Sequence, residues 1–542
     1  MASLNGPSPV TASWRFVALP VALVLLNGLF TFHNVWPTAF IHWPGELSVE
    51  LSALLLLLAL IQRWRAAVPR WLLVWLAAAS VIGVLGRYGE VTAPALYGRA
   101  VNLYWDLPHV ASLAGMLERV LKPWQLLLSF ALVVLLLGSM YLAAFWAWRQ
   151  VATSMRSPRT NAVIATIASL LTVWFVLQRM DERVPRVPRF SIPVAYTYGN
   201  QFIQVAEAVT NKGAVGNLPA SPKLTSTLSL IEGADVTLMF IESYGQVTYA
   251  RPEFATVLAS DRSRLLAAIR AQGGDAVSAF VESPTFAGGS WLAHISFLTG
   301  IEVRDGAMAE RLMTQSRENF GTALARHGYR RVALMPGLKS QWPEGAFYDF
   351  DRIYDDAAMQ YDGPAFGWWR IPDQFSLARL DVLERVQARP ERAPLFTFFP
   401  TISTHTPFRP TPPYQPDWSR ILSAAPFDAP DLERSMAQSA EWSNMGSGYL
   451  GAVRYIMNTL TGYVQQRLDH DWVLIIIGDH QPPAMVSGEG ASWNVPVHVI
   501  AARPELLDAL RRHGFTTGLD PSTNLGPMHT LAPLLLAAFE NQ

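Results

Sequence analysis

An aspartate and a histidine, Asp479 and His480, stand directly after a strongly apolar run of the sequence. The run, Trp472–Ile477, is mostly β-branched or aromatic and is followed by a glycine, a pattern that predicts a strand buried on both faces. Open α/β sheets bind their ligands outside the carboxyl ends of such strands. Because a carboxylate and an imidazole are common metal ligands, this pair indicates a metal site.

Three further polar side chains follow predicted strands or lie close behind them. They are Glu242 at the end of VTLMFIES, Ser290 after a Gly-Gly pair, and His405 in the Thr- and Ser-rich loop after APLFTFFP. Each could also have an ordinary structural role. Glu242 could accept hydrogen bonds from nearby N–H groups, Ser290 could cap a helix, and His405 could be a structural hydrogen-bonding group. Their shared position near strand ends favours a common site instead.

Two carboxylates, one imidazole and one hydroxyl can together bind a divalent cation such as zinc, manganese or magnesium. A bound cation would hold the Ser290 oxygen as an alkoxide, which is a nucleophile at neutral pH, and would polarise a phosphoryl oxygen under attack. His405 could contact the phosphoryl group or protonate the leaving oxygen. The expected chemistry is therefore metal-assisted phosphoryl transfer.

Strand and helix patterns alternate from residue 233 onward. This alternation predicts an α/β domain with a mostly parallel central sheet and helices on both faces. We assign residues 231–542 to this domain. Residues 181–230 are rich in Pro, Asn, Ser and Thr and are expected to form a juxtamembrane linker.

The first 180 residues are predicted to form an α-helical transmembrane domain. They contain five apolar stretches close to the ~20 residues that cross a bilayer. Arginines cluster between the second and third stretches and between the fourth and fifth, whereas the first connecting loop has neither Lys nor Arg. The positive-inside rule therefore puts the N-terminus inside and the residues after 180 outside. The predicted spans are Phe16–Thr31, Leu47–Ile61, Trp71–Leu85, Trp124–Trp148 and Ala162–Leu177.

The composition of the 542-residue chain excludes several classes of site. Its 42 basic and 42 acidic residues give no net charge, so charge does not indicate nucleic acid binding. The chain has no cysteine, which excludes disulfides, thiolate catalysis and Cys-based zinc sites. It has no P-loop, H-E-x-x-H or G-x-S-x-G motif, and GSGYLG at 446–451 follows a polar stretch, so dinucleotide binding is not expected.

The motifs FIES, GGS, STH and GDH, in this order, resemble those of the alkaline phosphatase/sulfatase superfamily. Five spans before such a domain resemble lipoteichoic acid synthases, membrane phosphoglycerol transferases and lipid A phosphoethanolamine transferases. The resemblance covers residues 233–535 and implies one divalent ion, manganese or zinc ahead of magnesium. By this similarity Ser290 is the nucleophile and His405 a substrate-side histidine. The implied metal ligands are Glu242, Ser290, Asp479 and His480.

Two further segments resemble the substrate pocket of these enzymes. GLKSQWPEGAFYDFDRIYDD is similar to the stretch that lines the glycerol-phosphate pocket of the synthases, which implies substrate contacts for Lys339 and Trp342. FGWWRIPDQF is similar to their Gly-Trp-(x)-Asp segment and implies that Asp373 lies near the substrate.

Three departures from the family pattern bear on the reaction. The transferases usually have Thr where this chain has Ser290, although a serine hydroxyl suffices for attack. Formylglycine sulfatases need Cys or Ser followed by x-P-x-R, but WLAH follows Ser290, so sulfate-ester hydrolysis by that route is not expected. Phosphoethanolamine transferases usually carry disulfides outside the membrane, and the lack of cysteine favours phosphoglycerol transfer.

The sequence thus predicts a membrane-anchored phosphotransferase that acts outside the cytoplasmic membrane of a bacterium. Ser290 would take phosphoglycerol from phosphatidylglycerol, the phospholipid donor, and pass it to a glycan or polymer acceptor. Three alternatives remain: phosphoethanolamine transfer, hydrolysis of a phosphate or sulfate ester, and an inactive sulfatase-like protein that binds glycans or partners.

Overall fold

The computed structural model of the chain divides into two compact units, with the boundary between Thr210 and Asn211. This boundary falls inside the segment predicted as a linker. Structure is described for residues 9–65, 67–97, 101–103, 106–107, 122–181, 183–210, 218–339, 342–367, 369–387, 391–442, 444–467 and 471–541.

The first unit is built mainly from apolar helices. A short antiparallel hairpin connects the first two of them. The helices are α1 (Pro9–Thr31), α2 (Val49–Trp64), α3 (Arg70–Tyr97), α4 (Pro123–Ser154), α5 (Pro158–Met180) and α6 (Val194–Thr210), and the hairpin strands are β1 (His33–Asn34) and β2 (Ile41–His42).

Helices α1–α5 overlap the five predicted spans, but their bounds and lengths differ from those predicted. Among the described residues, three helices are long and apolar enough to cross a membrane, namely Arg70–Leu96, Pro123–Ser154 and Pro158–Met180. Helix α2 has 16 residues, which at about 1.5 Å per residue falls short of a hydrocarbon core of about 30 Å. The apolar part of α1, Val17–Thr31, is also short. Three candidate spans are therefore present, and the five-span arrangement remains a prediction.

Helix α4 leaves a broad apolar surface exposed. Leu127, Phe130, Leu135 and Leu142 are 70%, 70%, 68% and 66% exposed. Water-soluble domains rarely leave so large an apolar patch uncovered. This surface is therefore suited to the interior of a bilayer.

The second unit contains a mixed sheet. In the described part of the chain the strand order is β10-β4-β9-β8-β3-β7-β5-β6, with β11 beside β4. The strands are β3 (Asp235–Ile241), β4 (Asp275–Glu282), β5 (Arg330–Leu334), β6 (Arg352–Tyr354), β7 (Leu395–Pro400), β8 (Trp472–Gly478), β9 (Asn494–Ala501), β10 (Thr516–Thr517) and β11 (Asn524–Pro527).

Helices connect most of these strands and cover both faces of the sheet. They are α7 (Val247–Ala250), α8 (Pro252–Ala271), α9 (Ser290–Thr299), α10 (Gly306–Met313), α11 (Phe320–Ala325), α12 (Asp373–Glu384), α13 (Ala429–Met436), α14 (Gly446–Arg467), α15 (Ala484–Ser487), α16 (Pro504–Arg512) and α17 (Leu531–Ala538).

The prediction of a mostly parallel sheet is correct only for the half of the sheet from β8 to β6. Strands β8, β3, β7, β5 and β6 run parallel, whereas β9 is antiparallel to β8 and β4. Parallel neighbours need a long crossover, usually a helix, and the connection from β8 to β9 forms only the four-residue helix α15. Because β4 is antiparallel to β9, its carboxyl end still lies at the same edge as those of β3 and β8.

The central strand β3 is buried on both faces. Val236, Leu238 and Phe240 belong to one apolar core, and Met239 and Ile241 belong to the other. Strand β8 has the same double burial. The continuous apolar sequences of both strands follow from this position at the centre of the sheet.

Gly478, the last residue of β8, occupies a site with no room for a side chain. A Cβ here would lie 1.8 Å from the carbonyl oxygen of Tyr244 and 3.1 Å from the Cβ of Val495. We expect Gly478→Ala to destabilise the second unit by on the order of 1–3 kcal/mol or more, because the backbone of Tyr244 must move. Thermal unfolding of the purified protein measures the change.

Gly451→Ala is the matched control for this substitution. Gly451 lies inside helix α14, and its added Cβ would meet only the Oγ1 of Thr411, at 3.7 Å. Since alanine favours a helix over glycine by about 1 kcal/mol, this variant should unfold at the same or a higher temperature. An unchanged unfolding temperature for Gly478→Ala would contradict the packing assigned to the end of β8.

Candidate metal centre

Two adjacent strands bring Glu242 and Asp479 together. Strands β3 and β8 are parallel and in register, with Ile241 opposite Gly478. The residue after β3 is Glu242, and the residue after β8 is Asp479. Both acidic side chains therefore lie side by side at the same edge of the sheet. Both are buried, with Asp479 only 1% exposed.

The turn after β3 holds Asp479 as well as Glu242. Ser243 has a positive φ of 58°, and its backbone N–H donates to Oδ1 of Asp479 at 2.8 Å. The backbone N–H of His480 donates to the same oxygen at 2.6 Å. The hydroxyl of Tyr449, on helix α14, donates to the Ser243 carbonyl at 2.9 Å. These bonds support a backbone conformation that is costly for a residue other than glycine.

Ser290 reaches the same edge from strand β4. Ala287, Gly288 and Gly289 have φ values of 54°, 142° and 73°, and this turn leads into helix α9, whose first residue is Ser290. The Oγ of Ser290 donates to Oε2 of Glu242 at 2.9 Å. Ser290 does not cap its own helix, because Gly289 holds the N-cap position.

His480 presents one ring nitrogen to the cluster formed by Glu242, Asp479 and Ser290. Its Nδ1 donates to the Gln481 carbonyl at 2.8 Å, so Nε2 is the nitrogen that faces the acidic residues. An imidazole whose other nitrogen is fixed by a carbonyl is typical of metal-binding histidines. Nε2 lies 3.2 Å from Oγ of Ser290, 3.4 Å from Oε1 of Glu242 and 3.7 Å from Oδ2 of Asp479.

The charges of these side chains act strongly on one another. Burial acts to lower the pKa of His480, but the charges of Asp479 and Glu242 outweigh it and raise the pKa to about 9. Burial and the charge of Glu242 raise the pKa of Asp479 well above its ordinary value. Burial also acts to raise the pKa of Glu242, yet the charge of His480 holds it below its ordinary value. Since the pKa of His480 is about 9, its proton offsets part of the negative charge at neutral pH, and a divalent cation can replace this proton.

The cluster has the size and the donor atoms of a single-metal site. One ligand atom from each of Glu242, Asp479 and His480 lies within 4.8 Å of the others. Two ligands of a tetrahedral zinc ion are roughly 3.4 Å apart when the bonds are about 2.0–2.1 Å long, close to the separations given above. Oxygen and imidazole donors suit zinc and manganese, and oxygen donors also suit magnesium. The residues present therefore fit a divalent ion, with Oγ of Ser290 as an adjacent fourth donor.

His405 stands beside an aromatic and a basic side chain. Its Nδ1 donates to the Thr406 carbonyl at 2.7 Å, and its ring packs against Trp369 with the centroids 5.3 Å apart. The Nζ of Lys339 lies 5.6 Å from the centroid of Trp369. The charge of His405 contributes to the lowered pKa of Glu242, so His405 is within electrostatic reach of the cluster. Trp369 thus links Lys339 to His405.

Asp373 supports the loop next to the cluster, and its direct contact with a substrate remains a prediction. It is fully buried at the start of helix α12, and its carboxylate accepts the backbone N–H groups of Ile402 and Ser403, each at 2.9 Å. Burial raises its pKa to about 6, against the effect of these hydrogen bonds. Asp373 therefore holds the loop that carries His405.

Trp342 packs partly against the core of the second unit. Its ring lies 5.5 Å from that of Tyr348, and it packs against the apolar core on one face of the sheet. Trp342 is partly buried at the N-cap of the 3₁₀-helix Pro343–Tyr348, and its contact with a substrate remains a prediction. Ser340 and Trp368, from the same two segments, lie outside the described residues.

His294 is a residue near the cluster that the sequence motifs did not identify. It lies four residues after Ser290 in helix α9, so the two side chains share one helix face. The charges of Glu242 and His480 both act on its pKa. Its spacing from Ser290 was the available signal, but a histidine in an apolar helix is normally interpreted as a core residue.

One known family model matches this part of the chain. Residues 292–496 match the model described as Sulfatase. The matched range contains His405, Asp479 and His480 and begins just after Ser290. A comparison with curated protein sequences gave no significant match.

Solved structures that are similar to this chain include two transferases and a synthase. The integral membrane protein lipooligosaccharide phosphoethanolamine transferase A (EptA) from Neisseria meningitidis aligns with a TM-score of 0.50 and 14% identity over 97% of this chain and 95% of that chain. The lipoteichoic acid synthase LtaP from Listeria monocytogenes has a TM-score of 0.38 and 13% identity, covering 62% of this chain and 80% of that one.

A third similar structure is the Streptococcus pyogenes phosphoglycerol transferase GacH in complex with sn-glycerol-1-phosphate. Its TM-score is 0.35 and its identity 10%, over 64% of this chain and 81% of that chain. Of these three structures, EptA aligns with nearly the whole chain. The match of residues 292–496 to the Sulfatase model confirms the resemblance in the sequence motifs, and the likeness to EptA is one of fold.

Proposed function

We propose that the protein is a metal-dependent phosphotransferase. It moves a phospholipid head group, phosphoglycerol from phosphatidylglycerol, to a hydroxyl of a glycan or polymer acceptor. The observation that carries this proposal is the position of Ser290, whose Oγ lies 2.9 Å from Glu242 and 3.2 Å from His480. A hydroxyl held between a carboxylate and an imidazole is suited to act as a nucleophile.

The metal ligands in this proposal are the four side chains that meet at the sheet edge, those of Glu242, Ser290, Asp479 and His480. A divalent cation, zinc or manganese ahead of magnesium, would stabilise the alkoxide of Ser290 and the charge that develops on the phosphoryl group. His480 offers Nε2 as a ligand because its Nδ1 is bound to the Gln481 carbonyl.

The proposed reaction has two displacement steps. Oγ of Ser290 attacks the lipid phosphorus, and the bond from phosphorus to the diacylglycerol oxygen breaks. His405 gives a proton to this leaving oxygen. An acceptor hydroxyl then attacks the phosphoseryl intermediate and returns a proton to His405 while Oγ of Ser290 leaves. The two steps exchange diacylglycerol for the acceptor, and ping-pong kinetics follow.

Two observations favour phosphoglycerol as the transferred group. The ammonium group of Lys339, which lies near Trp369 and His405, would repel the ammonium of ethanolamine. The same group can donate hydrogen bonds to the hydroxyls of glycerol. The chain has no cysteine, whereas the phosphoethanolamine transferases that it resembles usually carry disulfides. Phosphoethanolamine transfer is the second candidate, since EptA, named for that activity, shares the fold of almost the whole chain.

The proposed location is the cytoplasmic membrane of a bacterium, with the N-terminus inside and the second unit outside. Support comes from the apolar helices α3–α5 and from arginines in the loops predicted to be cytoplasmic, such as Arg65 and Arg156. An odd number of spans, three or five, puts the two ends of the chain on opposite sides. The phospholipid donor is then a component of the membrane that holds the protein.

Asp479→Asn tests the metal site. Asparagine keeps the size of the side chain and removes its charge, so we expect affinity for zinc or manganese to fall by more than about tenfold. Metal analysis after equal loading of the purified protein measures the loss. Asp261→Asn is the matched control, because Asp261 is as deeply buried but pairs with Arg264 and Arg454. Equal metal content in both variants would mean that the ligand set is wrong.

Release of diacylglycerol tests the donor. Labelled phosphatidylglycerol and phosphatidylethanolamine are supplied separately, and we expect faster release from phosphatidylglycerol. Ser290→Ala should lower the rate by at least about a thousandfold, because the nucleophile is lost. Ser296→Ala is the matched control, since Ser296 lies on the same helix but exchanges hydrogen bonds with the backbone of Val303.

The outcomes of this assay separate the alternatives. Faster release from phosphatidylethanolamine would change the assigned function to phosphoethanolamine transfer. Hydrolysis of phosphate or sulfate esters with water as the sole acceptor would make the protein a hydrolase. Release from neither lipid would refute the proposal and favour an inactive sulfatase-like binding protein.

A further inference from the structure

His294 is a partly buried imidazole that the proposed reaction does not use. It lies one helical turn after Ser290, on the same face of helix α9. Its ring centroid is 4.6 Å from that of Phe240 and 5.4 Å from that of Phe398. The surroundings of the ring are thus those of an apolar core.

The Nε2 atom of His294 is buried and has no hydrogen-bond partner among the described residues. A buried polar atom without a partner destabilises the folded state. An aromatic or aliphatic residue between Phe240 and Phe398 would therefore be the more stable choice. A local choice that costs stability is expected where it serves a functional site.

His294 is neutral at physiological pH and lies close to the metal centre. Burial lowers its pKa to about 3, with the charge of Glu242 opposing this shift and that of His480 adding to it. A neutral imidazole carries one ring proton and can donate one hydrogen bond. His294 is not among the residues whose ligand atoms lie within 4.8 Å of one another, so we do not expect it to be a metal ligand.

Glu242 must change hydrogen-bond partners when the centre is loaded. Its carboxylate accepts Oγ–H of Ser290 at 2.9 Å and Oγ–H of Ser243 at 3.1 Å, and lies 3.4 Å from Nε2 of His480. As metal ligands, Ser290 and His480 would give up the protons that face Glu242. Of these three side chains, Ser243 alone would still donate to the carboxylate. Carboxylates that bind metals are normally held by hydrogen bonds from residues outside the ligand set.

We propose that His294 is a positioning residue of the metal centre, which donates its Nε2 proton to the Glu242 carboxylate when a divalent ion is bound. This inference rests on the metal site of the proposed function and not on the identity of the lipid. It explains why an imidazole, which lowers the stability of the ion-free protein, stands one turn from the nucleophile.

His294→Phe tests the proposal, because phenylalanine fills the aromatic surroundings without a polar atom. The ion-free variant should unfold at the same temperature as the parent or higher. Its affinity for zinc, measured by titrating the full-length protein in detergent with zinc alone, should fall about 10–100-fold. The rise in unfolding temperature on adding zinc should shrink accordingly. A purely structural role would not separate stability from zinc affinity in this way.

Phe297→Leu is the matched control. Phe297 is fully buried on the same helix and lies 5.8 Å from Phe240. This variant should unfold at a lower temperature and keep a zinc affinity within about twofold of the parent. His294→Gln retains a hydrogen-bond donor and should recover part of the affinity; it replaces His294→Phe if that variant does not fold.

The results distinguish this inference from the proposed function. An unchanged zinc affinity in His294→Phe would overturn the role of His294 and leave the metal centre intact. A parent protein that binds zinc but releases no diacylglycerol would overturn the proposed function alone. A parent that binds no zinc would overturn both.

Discussion

Two carboxylates buried side by side are the constraint on which the rest of this site depends. Glu242 and Asp479 follow neighbouring parallel strands that are in register, and both lie almost out of reach of water. Like charges repel strongly at short distance in a low dielectric, so the pair requires compensating positive charge. The proton on His480 supplies part of it in the ion-free chain, and a divalent cation would supply it in the proposed enzyme. The same cation would make Ser290 acidic enough to react.

The polypeptide around the two carboxylates is shaped to hold them. Gly478 leaves no space for a side chain, and Ser243 takes a left-handed backbone conformation whose N–H reaches Asp479. Asp373 fixes the loop that carries His405. A position without room for a side chain, a strained backbone conformation and buried charges thus lie within a few residues of one another at one edge of the sheet. Each of these features lowers the stability of the folded state, and such features are expected to occur together at a functional site and not in an ordinary core.

Much of the site could be predicted because its signals are local in sequence. The continuous apolar runs of β3 and β8 indicate buried strands, so a polar residue after each must lie at the sheet edge. The antiparallel direction of β9 was not predictable, because it depends on the path of the preceding connection. Asp373 and Trp342 were assigned by similarity of segments, yet tertiary contacts decide whether a side chain faces a ligand or the core. His294 was missed because its neighbours in the helix are apolar.

The mass of the peptide that contains Ser290 is the most direct measurement of its role as a metal-dependent nucleophile. The full-length protein, loaded with zinc and mixed with phosphatidylglycerol without an acceptor, is quenched in acid and digested. We predict that this peptide gains one phosphoglycerol group, and that the gain disappears after chelation of the metal. An adduct that persists in Ser290→Ala, or that is found on another residue, would contradict the account.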